Sequence, residues 1–503
     1  MYFNNNVYFC NSSDTNQRQY LLLKMANRHG LIAGATGTGK TTTLKVLAES
    51  FSSAGVPVFT ADIKGDLTAT CLKGEDNEDM QERIQRFNLQ ETGFNYQGFP
   101  TEYWDVFGKF GHPIRATIQD MGPILLSSIL SLSEAQEGVL NIAFQYAQDN
   151  DLKLYDIDDL KAMLNYISDI SKELIGTYGN ITKQSVGSIV RKIVELENMG
   201  AKQFFGQPEL DIKDWLRIEN NKGVINLLEC SELFQKPKLY AAFMLWMLSS
   251  LYDTLPEVGD LDKPRIVFFF DEAHLLFDDA PKSLIDKIIQ TVRLIRSKGV
   301  GVYFVSQAPT DLPSEVLAQL GNRIQHALRA YTPNDLKNLK DTCDTFRQNS
   351  KFKTDEVITE LKTGEALISL LDENGVPGIV ERVFILPPES HFGSLDQVAL
   401  NQMIKSSLFD LKYSTPVNNK SALEDIETIV ENRIAQEEYE KKKLEEEKEL
   451  AKQQAKLEKE KEKLEEKRKK EIERTLKSAG RTILNRTVRS LTDSFIKNLK
   501  KRR

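Results

Sequence analysis

The sequence predicts an α/β fold with a central, mostly parallel sheet, a helical-bundle insertion and a long charged helix towards its C-terminal end. Three observations support this prediction. Residues 28–72 alternate between strand and helix patterns, residues 115–215 carry apolar residues at helical spacing, and residues 431–474 are mostly Glu, Lys, Gln and Arg. Strands that alternate with helices pair in parallel through right-handed crossovers, which places a parallel sheet at the centre of the fold.

The predicted strands are short apolar runs bounded by turn or helix patterns. Continuous apolar runs of this length are typical of strands that are buried on both faces. The runs are GLIAGA (30–35), VPVFTAD (56–62), GVINLLEC (223–230), RIVFFFDE (265–272), GVGVYFVSQ (299–307), NRIQHAL (322–328), GEALISLL (364–371) and IVERVFIL (379–386). We place the helical insertion at residues 105–220, so that it divides the core into residues 1–104 and 221–400.

The composition excludes several classes of protein. The 503 residues carry a net charge of -7, so a phosphate backbone could be contacted only through a local basic patch or an assembled channel. The four cysteines form no CxxC pair, which argues against a zinc ribbon and a secreted disulfide framework. The first residues lack the pattern of a signal peptide, and no uncharged run approaches about 20 residues. We therefore expect a cytoplasmic protein without a transmembrane segment.

The glycine-rich loop after the first apolar run predicts a phosphate-binding site. It fits the pattern GxxxxGK[ST] and lies between a predicted strand and a predicted helix. Backbone N–H groups of such a loop curve around phosphates at a helix N-terminus, where the helix dipole favours negative charge. We expect Lys40 to reach the β- and γ-phosphates of ATP, and Thr41 to offer its hydroxyl to Mg²⁺. The predicted nucleotide-binding residues of the loop are Gly34, Ala35, Thr36, Gly37, Thr38, Gly39, Lys40, Thr41 and Thr42.

Two acids at the end of the run RIVFFFDE predict the catalytic half of the site. An acid at the carboxyl end of a central parallel strand faces the same crevice as the glycine-rich loop. We expect Asp271 to hold the Mg²⁺ shell and Glu272 to orient and deprotonate the attacking water. The loop and the acidic pair should meet across adjacent strand ends. Because Glu272 supplies a base for water, ATP hydrolysis is favoured over phosphoryl transfer to a small acceptor.

Two further polar residues follow strands of the same sheet. Gln307 ends the run GVGVYFVSQ, where its amide can contact the γ-phosphate or the lytic water and sense the nucleotide state. Asp62 ends the run VPVFTAD at the same edge, and we predict a supporting role for it in the nucleotide site. The alternative for each residue is that it simply terminates its strand.

The helix pattern SLIDKIIQTVRLIRSKG carries Arg293 and Arg296 on one face, because residues three apart are neighbours on a helix. A guanidinium there could enter the ATP site of a neighbouring subunit and stabilise charge on the leaving phosphate. The alternative is an ordinary solvated or salt-bridged arginine. Arg323 and Arg329 are the next candidates for this role.

The C-terminal quarter changes character. Residues 401–474 are predicted to form a linker and a charged helix, in which Leu450, Leu457 and Leu464 recur every seven residues. The complementary heptad positions are polar, which favours a solvated helix or weak coiled coil over a specific zipper. Residues 475–503 carry nine Lys/Arg against one acid, Asp493, with apolar residues at helical spacing. This basic amphipathic helix suits DNA, an anionic membrane surface or an acidic partner, or else packs on its own domain.

The motifs resemble those of the HerA-FtsK superfamily of hexameric DNA-pumping ATPases, and most closely those of bacterial HerA-like proteins. The resemblance covers roughly residues 20 to 400, and the order and spacing of the motifs are specific. It rests on NRHGLIAGATGTGKTTTLKVLAE, TADIKGDL, MGPILLSSILSLSEAQEGVLNIAF, FFFDEAHLLF and VRLIRSKGVGVYFVSQAPTDLPSEVLAQLGNRIQHALRA.

The resemblance implies a RecA-like P-loop NTPase core that assembles as a hexameric ring. Lys40 and Thr41 would belong to Walker A, Asp271 and Glu272 to Walker B, and Gln307 would be the polar sensor. Asp62 would match the acid of the second strand motif, while Arg293 and Arg296 would lie in the arginine-finger region. HerA proteins proper carry a β-barrel before Walker A that helps to dock a nuclease; here 33 residues precede Gly34, which weakens the expectation of a nuclease partner.

Three hypotheses for function follow. The first is a ring-forming ATPase that acts on DNA as a translocase or helicase, with ATP sites between subunits. The second is a P-loop ATPase that remodels protein or acts at a membrane surface through its basic C-terminal helix. The third is a nucleotide-gated scaffold for a partner enzyme, in which hydrolysis only resets the complex.

Overall fold

The computed structural model describes residues 1–259, 261–277 and 282–499. The chain divides into two compact units, Met1–Asp425 and Ile426–Arg503, of which residues 500–503 lie outside the described part. The first unit contains every strand of the described residues and all of the predicted site residues. It is therefore the unit in which the candidate site is built.

The first unit is organised around one large β-sheet. Thirteen strands of the described residues form it, and β8 and β9 make a separate hairpin. The strands are β1 (Tyr2–Phe3), β2 (Asn6–Ser12), β3 (Arg18–Leu21), β4 (Gly30–Ala33), β5 (Val58–Asp62), β6 (Thr101–Asp105), β7 (His112–Pro113), β8 (Ile218–Glu219), β9 (Lys222–Gly223), β10 (Ile225–Glu229), β11 (Ile266–Phe270), β12 (Val300–Ser306), β13 (Asn322–Gln325), β14 (Glu365–Ser369) and β15 (Glu381–Ile385).

The sheet has a parallel half and an antiparallel edge. Its order is β1-β2-β15-β14-β13-β4-β12-β11-β5-β10-β6-β7, with β3 also paired to β2. The strands from β13 to β7 in this order run parallel to their neighbours. The strands β14, β15, β1, β2 and β3 pair antiparallel. The central, mostly parallel sheet predicted from the sequence is thus confirmed.

Each of the eight predicted apolar runs contains a strand of this sheet, but the sequence prediction was wrong about one neighbour relation. The strand β12 lies between β4, which precedes the glycine-rich loop, and β11, which precedes the acidic pair. The loop and the acids therefore do not follow adjacent strands. We predicted neighbouring strands because the loop and the acids both lie at the carboxyl edge of the sheet. A shared edge does not fix the order of the strands, which depends on how the whole chain packs.

The described residues also form helices, numbered here in chain order. They are α1 (Lys40–Ser53), α2 (Glu78–Arg86), α3 (Ile118–Ile129), α4 (Glu134–Asp149), α5 (Ile157–Asp169), α6 (Ser171–Leu174), α7 (Lys183–Asn198), α8 (Ala201–Phe204), α9 (Pro237–Thr254), α10 (Lys282–Ile295), α11 (Ser314–Leu317), α12 (Pro333–Asp344), α13 (Thr354–Glu360), α14 (Gln397–Ser406), α15 (Leu408–Tyr413) and α16 (Ala422–Leu499). Short 3₁₀ turns join several of them.

Six helices, α3 to α8, fall within the predicted insertion. Local capping fixes where several of them start: Ser133 and Gln136 form a capping box at α4, Asp156 caps α5, and Thr182 caps α7. Helices α4, α5 and α7 contact one another, so their apolar faces make a small core. The short strand β7 also falls within residues 105–220 and pairs with β6 at the sheet edge. The domain boundaries given by the sequence remain a prediction.

The main core lies between α1 and the sheet. Phe51 of α1 packs against Phe269 of β11 and Tyr303 of β12, with ring centroids 6.3 and 6.1 Å apart. All three side chains are buried. Burial of such large side chains stabilises the fold by about 2 kcal/mol each and fixes α1 over the central strands. The N-terminal end of α1, where the glycine-rich loop meets it, is held at the carboxyl edge of the sheet as a result.

The described part of the second unit, up to Leu499, belongs to the single helix α16. Leu450, Leu457 and Leu464 are each more than half exposed, as expected for a helix with little apolar surface to bury. The chain from residue 475 to 499 continues the same helix, while residues 500–503 of the predicted basic tail are outside the described part. Among the described residues, none of the helices combines the length and apolarity needed to cross a membrane. A coiled-coil assembly through α16 stays a prediction.

Candidate nucleotide-binding site

A cleft of about 250 Å³ opens at the carboxyl edge of the parallel strands, and we call it the phosphate cleft. One wall is the glycine-rich loop and the start of α1, contributing Thr36, Gly37, Gly39, Lys40, Thr41 and Thr42. The other walls are Lys64, Asp271, Glu272 and Thr363. The structure therefore brings together the predicted phosphate-binding loop and the predicted acidic pair, although they come from strands that are not neighbours.

The glycine-rich loop is shaped by its backbone before α1 begins. Gly39, the residue before the helix, has φ of 109°, a left-handed conformation that residues with a side chain rarely adopt. The first N–H groups of α1 have no partners within the helix, so they can bind an anion. Lys40 Nζ donates to the carbonyls of Gly34 and Ala35 at 2.5 and 3.3 Å, across the base of the loop. This arrangement suits the phosphate chain of a nucleotide.

Burial and nearby carboxylates have opposite effects on the pKa of Lys40, the lysine of the phosphate cleft. The pKa of Lys40 is lowered by burial, while the nearby carboxylates of Glu272 and Asp271 act in the opposite direction. A partly desolvated ammonium attracts an anion more strongly than one in water, because the local dielectric constant is lower. Lys40 is therefore placed to bind phosphate oxygens.

The floor beneath the loop is a buried histidine that sequence analysis did not identify. His326 follows β13 and is fully buried. Its Nε2 lies 2.9 Å from the Thr43 hydroxyl, and its Nδ1 lies 2.9 Å from the Glu365 carbonyl. A side chain on Gly34 would collide with this histidine, since its Cβ would lie 2.5 Å from His326 Cβ. Burial is the main reason that the pKa of His326 falls to about 4, so the ring is neutral at pH 7.

The acidic pair follows β11 directly. Asp271 Oδ1 accepts the backbone N–H of Glu272 at 2.9 Å, and Glu272 takes a left-handed backbone conformation with φ of 45°. Such a conformation is strained for a glutamate and recurs at functional sites. Burial, followed by the charge of Glu272, raises the pKa of Asp271 to about 6. A cation bound beside Asp271 would favour the ionised carboxylate and so oppose this rise.

One oxygen of the second acid has no donor among the described residues. Glu272 Oε2 is buried without a hydrogen bond, and its nearest basic nitrogen, Nδ1 of His274, lies 3.5 Å away. A buried carboxylate oxygen without a partner costs free energy of roughly 1–3 kcal/mol, so it marks a place where a ligand or water is bound in function. A base for an attacking water would need such an oxygen.

The donors at the cleft suit Mg²⁺ as well as nucleotide. The Thr41 hydroxyl and the Asp271 carboxylate line the same cleft, and oxygen atoms are the ligands that Mg²⁺ prefers. Mg²⁺ is usually bound by one or two protein oxygens together with phosphates, not by a complete protein cage. Consistent with this, no cluster of three or more His, Cys, Asp and Glu side chains that could hold a metal occurs among residues 1–259, 261–277 and 282–499.

Lys64 also lines the phosphate cleft. Asp62 explains its position. The Asp62 carboxylate accepts the backbone N–H groups of Gly65 and Leu67 at 2.8 and 2.9 Å and so fixes the turn that carries Lys64. Burial raises the pKa of Asp62 to about 6, and the two N–H donors oppose this rise. The part of Asp62 in nucleotide binding stays a prediction, and any such part is exerted through the turn.

Gln307 follows β12 at the correct edge of the sheet but is exposed and is not among the residues that line the cleft. The turn after it is fixed by Asp311, whose Oδ2 accepts the Ser306 hydroxyl and the Ala308 N–H, both at 2.7 Å. The sensor role of Gln307 stays a prediction.

The predicted arginine fingers lie at the other edge of the sheet. Arg293 is at the end of α10 and Arg296 in the turn before β12, so both precede a strand whose far end faces the cleft. Neither residue lines the phosphate cleft of its own subunit, and their role as arginine fingers stays a prediction. Arg323 is committed within its own chain, because its guanidinium donates to the carbonyls of Leu320 and Leu317 at 3.3 Å.

Comparison with known proteins decides the family. The family described as "Helicase HerA-like C-terminal" matches residues 8–503, which is nearly the whole chain. The chain belongs to this family. Membership confirms the resemblance seen in the motifs, and the parallel sheet with its glycine-rich loop is the fold expected of a P-loop ATPase of this family.

Curated relatives carry the same family name at low identity. The chain is 24% identical over 345 residues to the DNA double-strand break repair helicase HerA of Sulfurisphaera tokodaii, a match that covers 68% of this chain and 62% of that protein. It is 22% identical over 356 residues to the HerA helicase of Sulfolobus acidocaldarius, covering 69% and 63%. The matches thus span less than two-thirds of these relatives.

Two solved structures align over a large part of the chain. The bacterial conjugative coupling protein TrwB, lacking its N-terminal segment, aligns with a TM-score of 0.47 and 14% identity, covering 75% of this chain and 88% of that one. VirB4 of Thermoanaerobacter pseudethanolicus aligns with a TM-score of 0.46 and 15% identity, covering 76% and 96%.

Proposed function

We propose that this protein is an ATP-hydrolysing motor of the HerA type that acts on DNA, working as a ring with ATP sites between subunits. The observation that carries the proposal is the phosphate cleft, in which Lys40 and Thr41 face Asp271 and Glu272. A cationic loop opposite an acidic pair can bind a triphosphate and activate water against it. Membership of the helicase HerA-like C-terminal family supports the choice of motor over other ATPases.

The chemistry follows from the side chains of the cleft. The first N–H groups of α1 and the Lys40 ammonium bind oxygens of the β- and γ-phosphates and offset their charge. Thr41 and Asp271 would hold Mg²⁺, which neutralises charge on the phosphate chain when it is bound. The unpartnered oxygen of Glu272 accepts a proton from the attacking water. Gln307 does not line the cleft, but it follows β12, the strand between the loop and the acidic pair, and we propose that it senses the terminal phosphate from there.

Action on DNA is proposed from the relatives, since the curated HerA proteins are named as DNA double-strand break repair helicases. The net charge of -7 means that DNA contacts would come from basic loops in the channel of the ring. One alternative is a P-loop ATPase that remodels protein or acts at a membrane surface through residues 475–503. The other is a nucleotide-gated scaffold for a partner enzyme. A nuclease or another effector is a further proposed partner.

ATP turnover tests the proposal. Phosphate release by the assembled protein is measured with and without duplex and single-stranded DNA at one salt concentration, beside Glu272→Gln and the control Glu315→Gln, an exposed glutamate of α11. DNA should stimulate the wild type and the control, whereas Glu272→Gln should lose at least about 100-fold of the turnover, because its base is gone. A folded, assembled wild type that releases no phosphate contradicts the proposal. Stimulation by acidic liposomes but not by DNA favours the membrane alternative.

Mixing of variants tests the shared sites. An Arg293→Ala/Arg296→Ala double variant keeps an intact cleft, and Lys40→Ala keeps intact arginines. In mixed rings some interfaces combine an intact cleft with intact arginines, so part of the activity should return. Rings that form normally, as checked by mass, but show no recovery would count against action of these arginines in a neighbouring subunit.

A further inference from the structure

A second hollow adjoins the phosphate cleft, and we call it the side hollow. Its volume is about 370 Å³, and its walls include Glu82, Arg83, Arg86, Thr363, Gly364 and Phe384. Thr363 lines both spaces. Gly364 also touches the glycine-rich loop, because a Cβ on Gly39 would lie 3.3 Å from the Gly364 nitrogen. The two spaces therefore adjoin at Thr363, along one side of the loop.

The order of strands sets the direction in which a nucleotide must lie. The acidic pair follows β11, and Thr363 precedes β14, with β12, β4 and β13 between them. Glu272 must face the terminal phosphate if it activates water, so the γ-phosphate occupies the β11 side of the loop. The ribose and base must then leave the phosphate cleft on the β14 side. That is the side on which Thr363 opens into the side hollow.

The walls of the side hollow offer a stacking platform. The Arg86 guanidinium lies over the ring of Phe384, 3.7 Å from its centroid. Phe384 is partly buried against the main core, while Arg86 is exposed at the end of α2. A planar guanidinium held on a ring presents its other face to a second flat group, and nucleobases stack on such faces.

The shared loop between the two spaces is rigid. The Gly364 N–H donates to the Thr38 carbonyl at 3.3 Å, and the Gly364 carbonyl accepts the Ile385 N–H at 2.8 Å. Glu365 is buried, and its carboxylate accepts Arg382 at 2.6 Å and the Lys362 N–H at 3.0 Å. These bonds fix the distance between the phosphate loop and the stacked pair, so a ligand that spans both meets a preformed site.

We infer that the side hollow receives the ribose and purine base of the nucleotide, with the base stacked on Arg86 above Phe384. The inference rests on the proposed function, since it extends the same site. Arg86 would then contribute to affinity through its planar shape, and phosphate binding would be left to Lys40 and α1. No motif in the sequence marks these residues, because Arg86 and Phe384 are 298 positions apart, as their numbers show.

Titration calorimetry with ATP and with tripolyphosphate, at fixed Mg²⁺, separates the base from the phosphates. The wild type should bind ATP more tightly than tripolyphosphate, and ATP a few-fold more tightly than UTP, because a purine offers the larger stacking face. Arg86→Ala should weaken ATP binding roughly tenfold and leave tripolyphosphate binding unchanged. Arg86→Lys should resemble Arg86→Ala, because a lysine keeps the charge but not the plane.

The control is Arg18→Ala, which removes another guanidinium that lies over a ring, 5.0 Å from the centroid of Phe3, outside both spaces. It should leave ATP and tripolyphosphate binding unchanged. Equal losses of ATP and tripolyphosphate affinity in Arg86→Ala, or full affinity in Arg86→Lys, would overturn the inference. A wild type that binds ATP no better than tripolyphosphate would also overturn the inference. That result would leave the proposed function standing, because the phosphates would still be bound. A wild type that binds neither ligand would overturn both.

Discussion

The parallel half of the sheet and its antiparallel edge contribute differently to the candidate site. Strand ends of the parallel half supply charged groups to the phosphate cleft, namely Lys40 after β4, Lys64 after β5, and Asp271 and Glu272 after β11. The antiparallel edge supplies Thr363 ahead of β14 and Phe384 on β15, together with the loop that holds them. His326, at the boundary, ties the edge to the glycine-rich loop.

This difference indicates that the residues proposed to act on the nucleotide and the residues that hold the loop in place belong to different parts of the sheet. Parallel strands end at one edge, so their following residues converge whatever the order of the strands. The antiparallel edge converges on the same loop only through long-range pairing, and it fixes the loop through buried hydrogen bonds. Substitution of the charged cleft residues of the parallel half should lower ATP turnover and leave the fold stable. Substitution of His326, at the boundary with the antiparallel edge, should lower the stability of the fold.

The largest effect is expected from Lys40→Ala. Removal of this ammonium leaves the phosphate charge without its closest side-chain partner, so ATP turnover should fall at least about 100-fold. The melting temperature should not fall, because Lys40 is only partly buried. Phosphate release and thermal melting measure the two effects, with Lys24→Ala, a surface lysine paired to Glu373, as the control. A melting temperature of Lys40→Ala far below that of the wild type would contradict the prediction that Lys40 acts on the nucleotide and not on the stability of the fold.

The second effect concerns stability in acid. His326 is neutral in the folded protein because its pKa is about 4, whereas in the unfolded chain it takes up a proton below about pH 6.5. Its contribution is therefore complete above pH 6.5 and is lost as the pH falls towards 4. Between pH 7 and pH 5 the free energy of unfolding should drop by about 2 kcal/mol on account of His326 alone.

Denaturant unfolding at pH 7 and pH 5 measures this effect. His326→Asn keeps a donor for the Glu365 carbonyl and removes the titrating ring, so its loss between the two pH values should be smaller than that of the wild type. The buried His29, whose pKa also falls to about 4 through burial, adds an equal loss to both proteins. The partly exposed His391 serves as control when replaced by Asn. An unchanged pH dependence in His326→Asn would show that the boundary histidine is not a stabilising support.

A smaller effect is expected from Lys64→Ala. The side chain is exposed, so its charge acts on the phosphates through water and should be worth about tenfold in turnover, less than Lys40. The effect should shrink as salt is raised, because exposed charges are screened. Turnover at two salt concentrations measures it, beside Lys73→Ala, an exposed lysine of the same region that does not line the cleft. A loss as large as that of Lys40→Ala would place Lys64 among the principal phosphate ligands.

The smallest effect is expected from ending the chain at Asp425. Every residue that lines the phosphate cleft or the side hollow belongs to Met1–Asp425. Turnover without DNA should therefore stay within about twofold of the full chain, because no residue of either space is removed. Phosphate release by the two forms, at equal oligomeric state, makes the comparison. A collapse of basal turnover would show that residues beyond Asp425 are needed for ATP hydrolysis and would contradict this prediction.

Local sequence predicted much of the fold and the centre of the site. The glycine-rich loop and the two acids that end RIVFFFDE each lie within a few consecutive residues, and every predicted apolar run contains a strand. The strands β1, β2, β3, β6, β7, β8 and β9 were not predicted, and apart from VYFC in β2 they carry no apolar run longer than two residues within their bounds. In β2 the polar Asn11 is buried because Tyr8 and Asn16 satisfy its amide, and no local pattern shows this.

The sequence by itself predicted which residues would bind and activate a triphosphate, since that prediction depends on short motifs at the ends of strands. Only the tertiary structure decided the order of the strands, the entry of Lys64 and Thr363 into the cleft, the histidine beneath the loop, and the stacked pair of Arg86 and Phe384. The physical reason is that strand pairing across hundreds of residues depends on the burial of complementary faces. That burial is a property of the whole chain, and a window of a few residues does not contain it.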